Sequence, residues 1–369
     1  MQRIRRALAE LRSGEPLFLN DERDPSLILA VETLNANRLQ MLNAFTEKPL
    51  RLLITSHRAR SLGYSTKGTE PVALSLADTP NIEALAGLCC AGIAKEQIAP
   101  LTEVHLMDTA AIALARRARL LPCLISASVA PQYTAILAQQ VIEGELLAVP
   151  RSLLHQITAQ TIAKPERVSE ASVPLSESEE ARFVLYREPD GLGEHVAVIV
   201  GDPNKWPEAP AVRLHSACLT GDLFGSLRCD CGEQLRSGIA GIAEAGGGVL
   251  LYLDQEGRGI GLANKLRAYT LQDSGYDTID ADAELGFGDD ERQYEGTAAI
   301  LQDLGIKQLT LFTNNPAKIN ALEAAGITVK GREAVLGKLN HHNARYLNAK
   351  SDRAGHLLDD ILTEDQPPR

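Results

Sequence analysis

The sequence predicts an α/β (α+β) protein of two domains, each a mixed sheet with packed helices. Two observations carry this prediction. Short apolar strands alternate with helical patterns on both sides of a polar segment. The chain has 369 residues, of which 44% are hydrophobic, so it can bury more than one core. The polar segment contains Ser, Glu and Pro and has no sustained apolar period, so we place a linker at residues 164–180, between domains at 1–163 and 181–369.

The first half has clear signals for two helices and a strand. Ile4 to Leu11 has the apolar spacing of an amphipathic helix, which Gly14 stops. Asp108 to Leu120 is Ala-rich and leads into an apolar strand, Cys123 to Ile125. These elements predict a mixed α/β arrangement before the linker.

In the second half, apolar strands are predicted at His195 to Val200, Gly248 to Leu253 and Gln308 to Thr313. The last strand leads into a turn where Asn315 suits an N-cap and Pro316 the first helical position. The backbone N–H groups of such a helix start could bind an anion. A well-capped turn without a ligand explains the same residues, so this motif alone leaves both interpretations open.

Composition excludes several classes of function. A net charge of −11 would repel a phosphate backbone, so we expect no nucleic-acid partner. No run approaches eighteen apolar residues, and the basic N-terminus lacks an apolar segment and cleavage site, so we expect no membrane span, no export and a cytoplasmic location. Cys89, Cys90 and Cys123 have apolar or small neighbours and are expected to be small buried thiols in a reducing compartment.

The strongest chemical signal is a group of three cysteines, Cys218, Cys229 and Cys231, among polar and charged residues. Thiolates bind zinc tightly. A structural zinc site normally closes its tetrahedron with a fourth Cys or His, whereas a catalytic site keeps one position for water. No fourth cysteine is close in sequence, but His215 could complete the site. A catalytic zinc is favoured, and a structural zinc stays open.

Two further segments indicate phosphate binding and proton transfer. Asp254 to Gly261 is a glycine-rich turn between a strand and a helix, where backbone amides can approach phosphates closely. Basic residues lie near it although the protein is acidic, which a polyphosphate ligand would explain. In segment 286–292, Asp290 could move protons while Arg292 holds a phosphate. Taken singly, the glycine-rich segment is equally compatible with a plain turn, and an Asp-Asp-Glu-Arg run is more often a solvated surface than a site.

Six motifs follow one another in the second half of the chain. They begin at Arg213, Ser226, Gln255, Arg267, Gly275 and Leu311 and read RLHSACLTGD, SLRCDCG, QEGR, RAYTLQ, GYDT and LFTNNP. In content and order these motifs resemble GTP cyclohydrolase II, the zinc-dependent enzyme that opens the riboflavin pathway, over about His195 to Leu357. The chain departs from the family pattern at Ala217, where glutamate is common, and at Ala317, where lysine is frequent.

The resemblance implies hydrolysis of GTP to a diamino-ribosylamino-pyrimidinone phosphate, formate and pyrophosphate. It implies one catalytic Zn²⁺ per subunit on Cys218, Cys229 and Cys231, with water as the fourth ligand, Mg²⁺ on the GTP triphosphate, and a homodimer. The implied GTP contacts are Arg213, Leu214, His215, Ser216, Ala217, Gln234, Glu256, Gly257, Arg258, Thr278, Thr313 and Lys318.

Three catalytic roles also follow from the resemblance. Asp290 takes the role of proton acceptor, and Tyr269 matches a tyrosine linked to completing formyl hydrolysis, so we expect formate release rather than arrest at the formamide. Arg292 matches the family's nucleophile toward the α-phosphate. A guanidinium is effectively always protonated and is better suited to clamping the leaving pyrophosphate, so both roles for Arg292 stay open.

The first half resembles a shortened, degenerate dihydroxybutanone phosphate synthase, through its first helix, Leu17 to Asp24 and the Asp108 helix. Its acidic series of Asp21, Glu22 and Asp24 is shorter than a metal and a sugar phosphate require. We therefore expect a non-catalytic scaffold that helps to dimerise or stabilise the chain. Two alternatives for the whole protein stay open: a paralogous cyclohydrolase of another pathway, and a GTP-binding regulatory module with structural zinc.

Overall fold

The structure is a computed structural model that describes residues 1–66, 68, 71–76, 81–90, 99–159 and 164–335. The backbone divides into two compact units. The first unit comprises Met1–Gln160 and Ala263–Glu291, and the second comprises Thr161–Leu262 and Arg292–Arg369. Each unit contains a seven-stranded mixed sheet, which confirms the α/β class. The domain boundaries given above stay a prediction.

Strands and helices of the described residues are numbered in chain order. The strands are β1 Leu17–Asn20, β2 Ser26–Ala30, β3 Arg51–Ile54, β4 Val72–Ser75, β5 Leu101–Thr102, β6 Cys123–Ser128, β7 Leu147–Pro150, β8 Glu166–Ser172, β9 Ala181–Arg187, β10 Glu194–Val200, β11 Ala211–Ser216, β12 Gly248–Leu253, β13 Gln308–Phe312 and β14 Thr328–Glu333. The helices are α1 Gln2–Ser13, α2 Ala36–Asn43, α3 Ser56–Ser61, α4 Ile82–Cys89, α5 Asp108–Arg117, α6 Thr134–Glu143, α7 Leu154–Thr158, α8 Leu219–Asp222, α9 Cys231–Glu244, α10 Leu262–Asp273, α11 Thr278–Glu284, α12 Glu295–Asp303 and α13 Pro316–Ala324.

The sheet of the first unit has the strand order β5-β4-β3-β6-β2-β1-β7. Its neighbouring strands are antiparallel except for the pair β1 and β7. The predicted first helix is confirmed: α1 buries the face formed by Ile4, Ala7, Leu8 and Leu11 and ends at Gly14. Gly14 has a φ of 79°, a left-handed conformation that glycine adopts without steric cost. Helix α5 and strand β6 also lie where the sequence predicts them.

The cysteines of the first unit differ from the prediction. Cys89 and Cys123 are buried as expected, but they form a disulfide with each other. The expectation of three separate buried thiols is therefore wrong for this pair. The two residues are 34 positions apart, and the fold brings the end of α4 beside the start of β6, which local residue patterns cannot reveal. Cys90 is half-buried, and burial raises the pKa of its thiol.

Strand β8 lies inside the segment that sequence analysis assigns to the linker. All seven residues of β8 are exposed, and the strand pairs with β9 at the margin of the second sheet. An edge strand with both faces in solvent has no alternation of apolar and polar residues. This explains why periodicity does not reveal it.

The sheet of the second unit has the order β14-β13-β11-β12-β10-β9-β8. The four strands from β14 to β12 are parallel, whereas β8, β9 and β10 join in antiparallel fashion. Strands β13, β11 and β12 are neighbours and point the same way, so the three segments that follow them leave at one edge of the sheet. In open α/β sheets this edge is the usual place for ligands. No helix in the described ranges has both the length and the apolar character needed to cross a bilayer.

Candidate active site

Three thiols form the centre of the candidate site, at the edge where β11 ends. The Sγ atoms of Cys218, Cys229 and Cys231 lie within 4.8 Å of one another. Cys218 Sγ and Cys229 Sγ are 3.7 Å apart. Zinc–sulfur bonds of about 2.3 Å at tetrahedral angles would place two sulfurs about 3.8 Å apart, so the spacing fits zinc. Among the described residues, these three sulfurs are the potential metal-ligand atoms that come together at this point.

Gly221 allows the sulfurs to converge. A Cβ at this position would lie 2.7 Å from Cys229 Sγ and 3.1 Å from Cys218 Sγ. Any larger residue would therefore push the sulfurs apart. The hydrogen bond between Cys229 and Cys218 is the main cause that raises the pKa of the Cys229 thiol. A cation between the sulfurs would favour the thiolate forms instead.

Asp222 holds the turn that carries Cys218. One carboxylate oxygen accepts hydrogen bonds from the backbone N–H of Cys218 at 2.8 Å and from the hydroxyl of Tyr252 at 2.9 Å. The other oxygen lies 3.1 Å from His215 Nε2, and the imidazole stacks on the Tyr252 ring. The carboxylate thus fixes the backbone next to the first sulfur and orients His215.

The position of His215 decides whether it could be the fourth ligand of a structural metal site. Its Nε2 is occupied by Asp222, and neither of its ring nitrogens belongs to the group of converging ligand atoms found in the described part of the chain. Burial lowers the pKa of His215, against the opposing effect of Asp222, which favours a neutral ring. The geometry therefore argues against His215 as the fourth ligand of a closed tetrahedron.

Glu256 links the thiol turn to the glycine-rich turn that follows β12. Its buried carboxylate accepts a hydrogen bond from the backbone N–H of Leu219 at 2.6 Å through one oxygen and from the N–H of Gly257 at 3.0 Å through the other. Gly257 and Arg258 have φ values of 62° and 61°, and a non-glycine residue seldom adopts such a left-handed conformation. The thiol turn and the glycine-rich turn, both predicted from the sequence, thus meet at the same edge of the sheet, and the Glu256 carboxylate joins them.

Ser216 and Ala217 also contact the β12 turn. Ser216 Oγ donates to Gln255 Oε1 at 3.1 Å, and the Gln255 amide donates to the carbonyl of Gln293 at 2.7 Å. The backbone N–H of Ala217 donates to the carbonyl of Leu253 at 2.8 Å. These contacts extend the pairing of the parallel strands beyond their ends and fix the path into the thiol turn.

Arg213 lies buried beneath the site, on strand β11. Its guanidinium donates to Gln234 Oε1 at 2.8 Å and to the carbonyl of Phe312 at 3.3 Å. Burial lowers its pKa to about 10, so it is still protonated at neutral pH. A Cβ on Gly238 would lie 2.5 Å from Arg213 Cδ, so this glycine of α9 makes room for the side chain. A buried positive charge at this edge suits an anionic ligand.

The turn after β13 forms as the sequence predicts. The Asn315 side chain accepts from the N–H of Ala317 at 2.9 Å, and Pro316 is the first residue of α13. The polar groups predicted to contact GTP here have protein partners: Thr313 Oγ1 accepts from the N–H of Asn315 at 3.0 Å, and Lys318 Nζ donates to the carbonyl of Leu214 at 2.7 Å. Lys318 Nζ also lies 6.0 Å from the ring centre of Tyr294.

The remaining predicted residues are divided between the units. Tyr269 in α10, Thr278 at the start of α11, and Asp290 in the loop after it belong to the first unit. Lys265 Nζ lies 5.7 Å from the Tyr269 ring centre, and Asp290 is exposed. Arg292 belongs to the second unit, with its guanidinium carbon 5.9 Å from the Tyr294 ring centre.

Sequence reasoning missed the residues that hold the site in shape. Gly221 and Asp222 lie in the quoted cysteine motif, so their position was visible but their roles were not. A glycine three residues after a metal-binding cysteine is the one signal that could have indicated a close approach to sulfur. Tyr252 and Gly238 gave no such signal, because each acts on a residue distant in sequence.

Comparisons with known proteins identify the family of the chain. Residues 166–334 match the family model described as GTP cyclohydrolase II. The chain is 42% identical to a GTP cyclohydrolase-2 of Azospirillum brasilense, over 97% of this chain and 94% of the relative. It is 53% identical to a riboflavin biosynthesis protein of Bacillus subtilis, over 45% of this chain and 42% of that protein.

Among solved structures, a two-domain 3,4-dihydroxy-2-butanone 4-phosphate synthase of A. baumannii matches 91% of this chain and 99% of its own, with 16% identity and a TM-score of 0.34. A score this low does not establish a shared fold. The relative from Azospirillum covers nearly the full length of both chains at an identity well above chance similarity. The chain therefore belongs to the GTP cyclohydrolase II family of hydrolases.

Proposed function

We propose that this protein is a zinc-dependent GTP cyclohydrolase II that converts GTP to a diamino-ribosylamino-pyrimidinone phosphate, formate and pyrophosphate, as the first step of riboflavin biosynthesis. One observation carries the proposal: three sulfurs at zinc spacing are joined through Glu256 to a glycine-rich turn. Opening of a purine ring needs activated water at the ring and groups that hold the triphosphate, and a metal centre beside a glycine-rich turn can supply both. Membership of the family supports the same substrate.

Cys218, Cys229 and Cys231 would hold the zinc, with Asp222 keeping the first of them in place. Zinc on three thiolates supplies Lewis acidity and an acidified water at neutral pH. The purine would bind with C8 toward the thiols, so that opening of the imidazole ring releases this carbon as formate.

The remaining roles concern the triphosphate and the proton. The glycine-rich turn at Gly257 and Arg258 would lie against the phosphates, which the arginine side chains would bind together with Mg²⁺. Asp290 would accept a proton during the attack of water, and Tyr269 would support completion of formyl hydrolysis. Arg292 would clamp the leaving pyrophosphate, because a permanently protonated guanidinium stabilises that charge directly. We further propose a cytoplasmic homodimer as the working form.

The test is an assay of all products at once. The purified chain is incubated with GTP and Mg²⁺, with and without a zinc chelator, and formate, pyrophosphate and the pyrimidine are measured together. We expect all three products in equal amounts, and we expect the chelator to abolish them. A formamide product without formate would contradict the role of Tyr269. Intact GTP in the presence of stoichiometric zinc would contradict the enzyme and favour a GTP-binding regulatory module.

A paralogous cyclohydrolase of another pathway would be revealed by a different pyrimidine. Mass spectrometry of quenched enzyme separates the two roles of Arg292, since a phosphoguanosyl adduct on Arg292 would identify the nucleophile and contradict the clamp. The number of zinc ligands, measured by X-ray absorption, tests the catalytic metal independently. Three sulfurs with one oxygen are expected, whereas an additional histidine nitrogen would indicate structural zinc.

A further inference from the structure

The first unit contains a piece of the second half of the chain. Residues Ala263–Glu291 pack with Met1–Gln160 in one compact unit. This segment comprises most of α10, all of α11 and the loop that follows. It carries Tyr269 and Asp290, to which the proposed function gives catalytic roles, and Thr278, which is an expected contact of GTP.

The end of α11 is held by a buried arginine from α3. The Arg58 guanidinium forms an ion pair with Glu284. It also donates to the carbonyls of Leu88 at 2.8 Å and Gly87 at 3.2 Å. The Arg58 side chain is 3% exposed and that of Glu284 is 15% exposed. A desolvated charge with these fixed partners allows little displacement of Glu284, because losing that carboxylate would leave the guanidinium undercompensated.

A second anchor lies two residues after α11, at Gly286. Thr55 Oγ1 donates to the carbonyl of Gly286 at 2.7 Å. Gly286 has a φ of 85°, and a Cβ there would lie 3.0 Å from Pro122 Cγ. The backbone of the segment thus lies directly against Thr55 and Pro122, at a position that accepts glycine alone without strain.

Further contacts hold both ends of the segment. Near its start, Asn264 Nδ2 donates to the carbonyl of Arg119 at 3.0 Å, and Arg267 donates to Glu32 at 2.7 Å. At its end, the loop closes on itself when Gly288 N–H donates to Glu291 Oε1 at 2.7 Å, and that carboxylate lies 3.7 Å from Arg116. Asp290 stands between these anchored residues.

We infer that the first half of the chain is a positioning element for the reaction, which holds residues 263–291 through Arg58, Thr55 and Arg116. The inference rests on the proposed function, because that function makes Asp290 and Tyr269 catalytic residues and Thr278 a contact of GTP. It gives the first half a specific task, beyond the general stabilisation expected from the sequence. Arg58 and Thr55 touch no substrate in this view and act through the segment.

The test compares two acid-to-amide changes in the full chain. Glu284→Gln removes the charge that anchors α11. Asp108→Asn removes a charge of the first half that is buried even more deeply than Glu284, and whose ion pair with Arg51, at 2.7 Å, does not touch the segment. Thr55→Val removes the hydrogen bond to Gly286 together with the cap of α3, in which Thr55 Oγ1 accepts from the N–H of Arg58, and Thr55→Ser restores the hydroxyl that makes both bonds. Each variant is measured for kcat and KM of formate release, zinc content, melting temperature, and amide hydrogen exchange in residues 263–291.

We expect Glu284→Gln and Thr55→Val to lower kcat about tenfold or more at unchanged zinc content, because small displacements of reacting groups are costly. Their amide exchange in 263–291 should rise, while Thr55→Ser and Asp108→Asn keep kcat within about twofold of the wild type. Equal losses of kcat in Asp108→Asn and Glu284→Gln would show general stabilisation and overturn the inference. So would wild-type kcat in both anchor variants.

Failure of the proposed function has a different signature. In that case the wild-type chain releases no formate from GTP, whatever the anchor variants do. Hydrogen exchange still tests the anchoring itself, since Glu284→Gln should loosen residues 263–291 selectively and Asp108→Asn should not. Unchanged exchange of this segment in both anchor variants would overturn the inference without reference to activity.

Discussion

The sheets of the two units have the same number of strands but differ in strand direction and in how the polar and charged groups near them are arranged. In the second unit, β13, β11 and β12 run parallel side by side, so the motifs after them gather at one edge. In the first unit the central strands are antiparallel, and its buried charges are paired internally, as in Arg51 with Asp108 and Arg58 with Glu284. Strand direction, rather than strand number, explains why the thiol segment after β11 meets the glycine-rich turn after β12 in the second unit.

The largest effect is expected from removing a sulfur. Cys229→Ser should abolish stoichiometric zinc binding and lower formate release by more than about a thousandfold, because a hydroxyl is a poor zinc ligand. Zinc analysis and the product assay measure the two effects. Cys90→Ser, a thiol change in the first unit, is the control and should leave both unchanged. Full activity of Cys229→Ser would remove the basis of the comparison.

A smaller loss is expected from filling the space among the sulfurs. In Gly221→Ala the new methyl group would lie 2.7 Å from Cys229 Sγ, so the ligands must move. A displacement of this size should lower kcat about a hundredfold. The control is Gly331→Ala in β14, where the Cβ would be 3.5 Å from its nearest neighbour, an ordinary contact. If both variants retained zinc and activity, the tight convergence of the sulfurs would be contradicted.

Asp222→Asn should have a more moderate effect. The amide can present only one oxygen to the three donors now held by the carboxylate, so the Cys218 turn would shift. Residues that orient metal ligands typically contribute about tenfold or more, so we expect kcat to fall about tenfold with weaker zinc affinity. Asp303→Asn is the control, because Asp303 also accepts from a tyrosine hydroxyl, that of Tyr186 at 2.6 Å, but is exposed and lies outside the thiol site. Equal behaviour of the two variants would show that Asp222 has no special role.

The smallest effect concerns pH and the first unit. Burial, followed by Arg60 and Arg116, lowers the pKa of His57 below 6.5, whereas Glu291 and Asp289 oppose the shift. Below pH 6.5 the His57 imidazole binds a proton more readily in the unfolded chain than in the folded chain. The contribution of His57 to the free energy of unfolding is therefore complete above pH 6.5 and is lost as the pH falls. His57→Gln should therefore flatten the fall of unfolding free energy from about pH 7 to about pH 5. Denaturant titrations at each pH measure the free energy of unfolding. If its pH dependence were the same in His57→Gln and the wild type, the lowered pKa of His57 would be contradicted.

Local patterns predicted a good part of this protein. The amphipathic spacing of α1, the stop at Gly14, the strand β12 and the Asn315 cap are confirmed, since each depends on neighbours in sequence. Strand β8 was missed because an exposed edge strand has no apolar period. The disulfide between Cys89 and Cys123 was missed because it joins residues far apart in the chain. The predicted substrate contacts and catalytic roles stay predictions.

The sequence by itself determined the residue types and spacing of the thiol group, the glycine-rich turn and the capped helix, which together indicate the family. Those features are local, and their chemistry follows from the side chains present. Only the tertiary structure decided that Glu256 joins two of these motifs, that His215 turns toward Asp222 rather than the sulfurs, and that residues 263–291 pack in the first unit. These are contacts between distant parts of the chain, which depend on strand order and burial, and neither can be read from neighbouring residues.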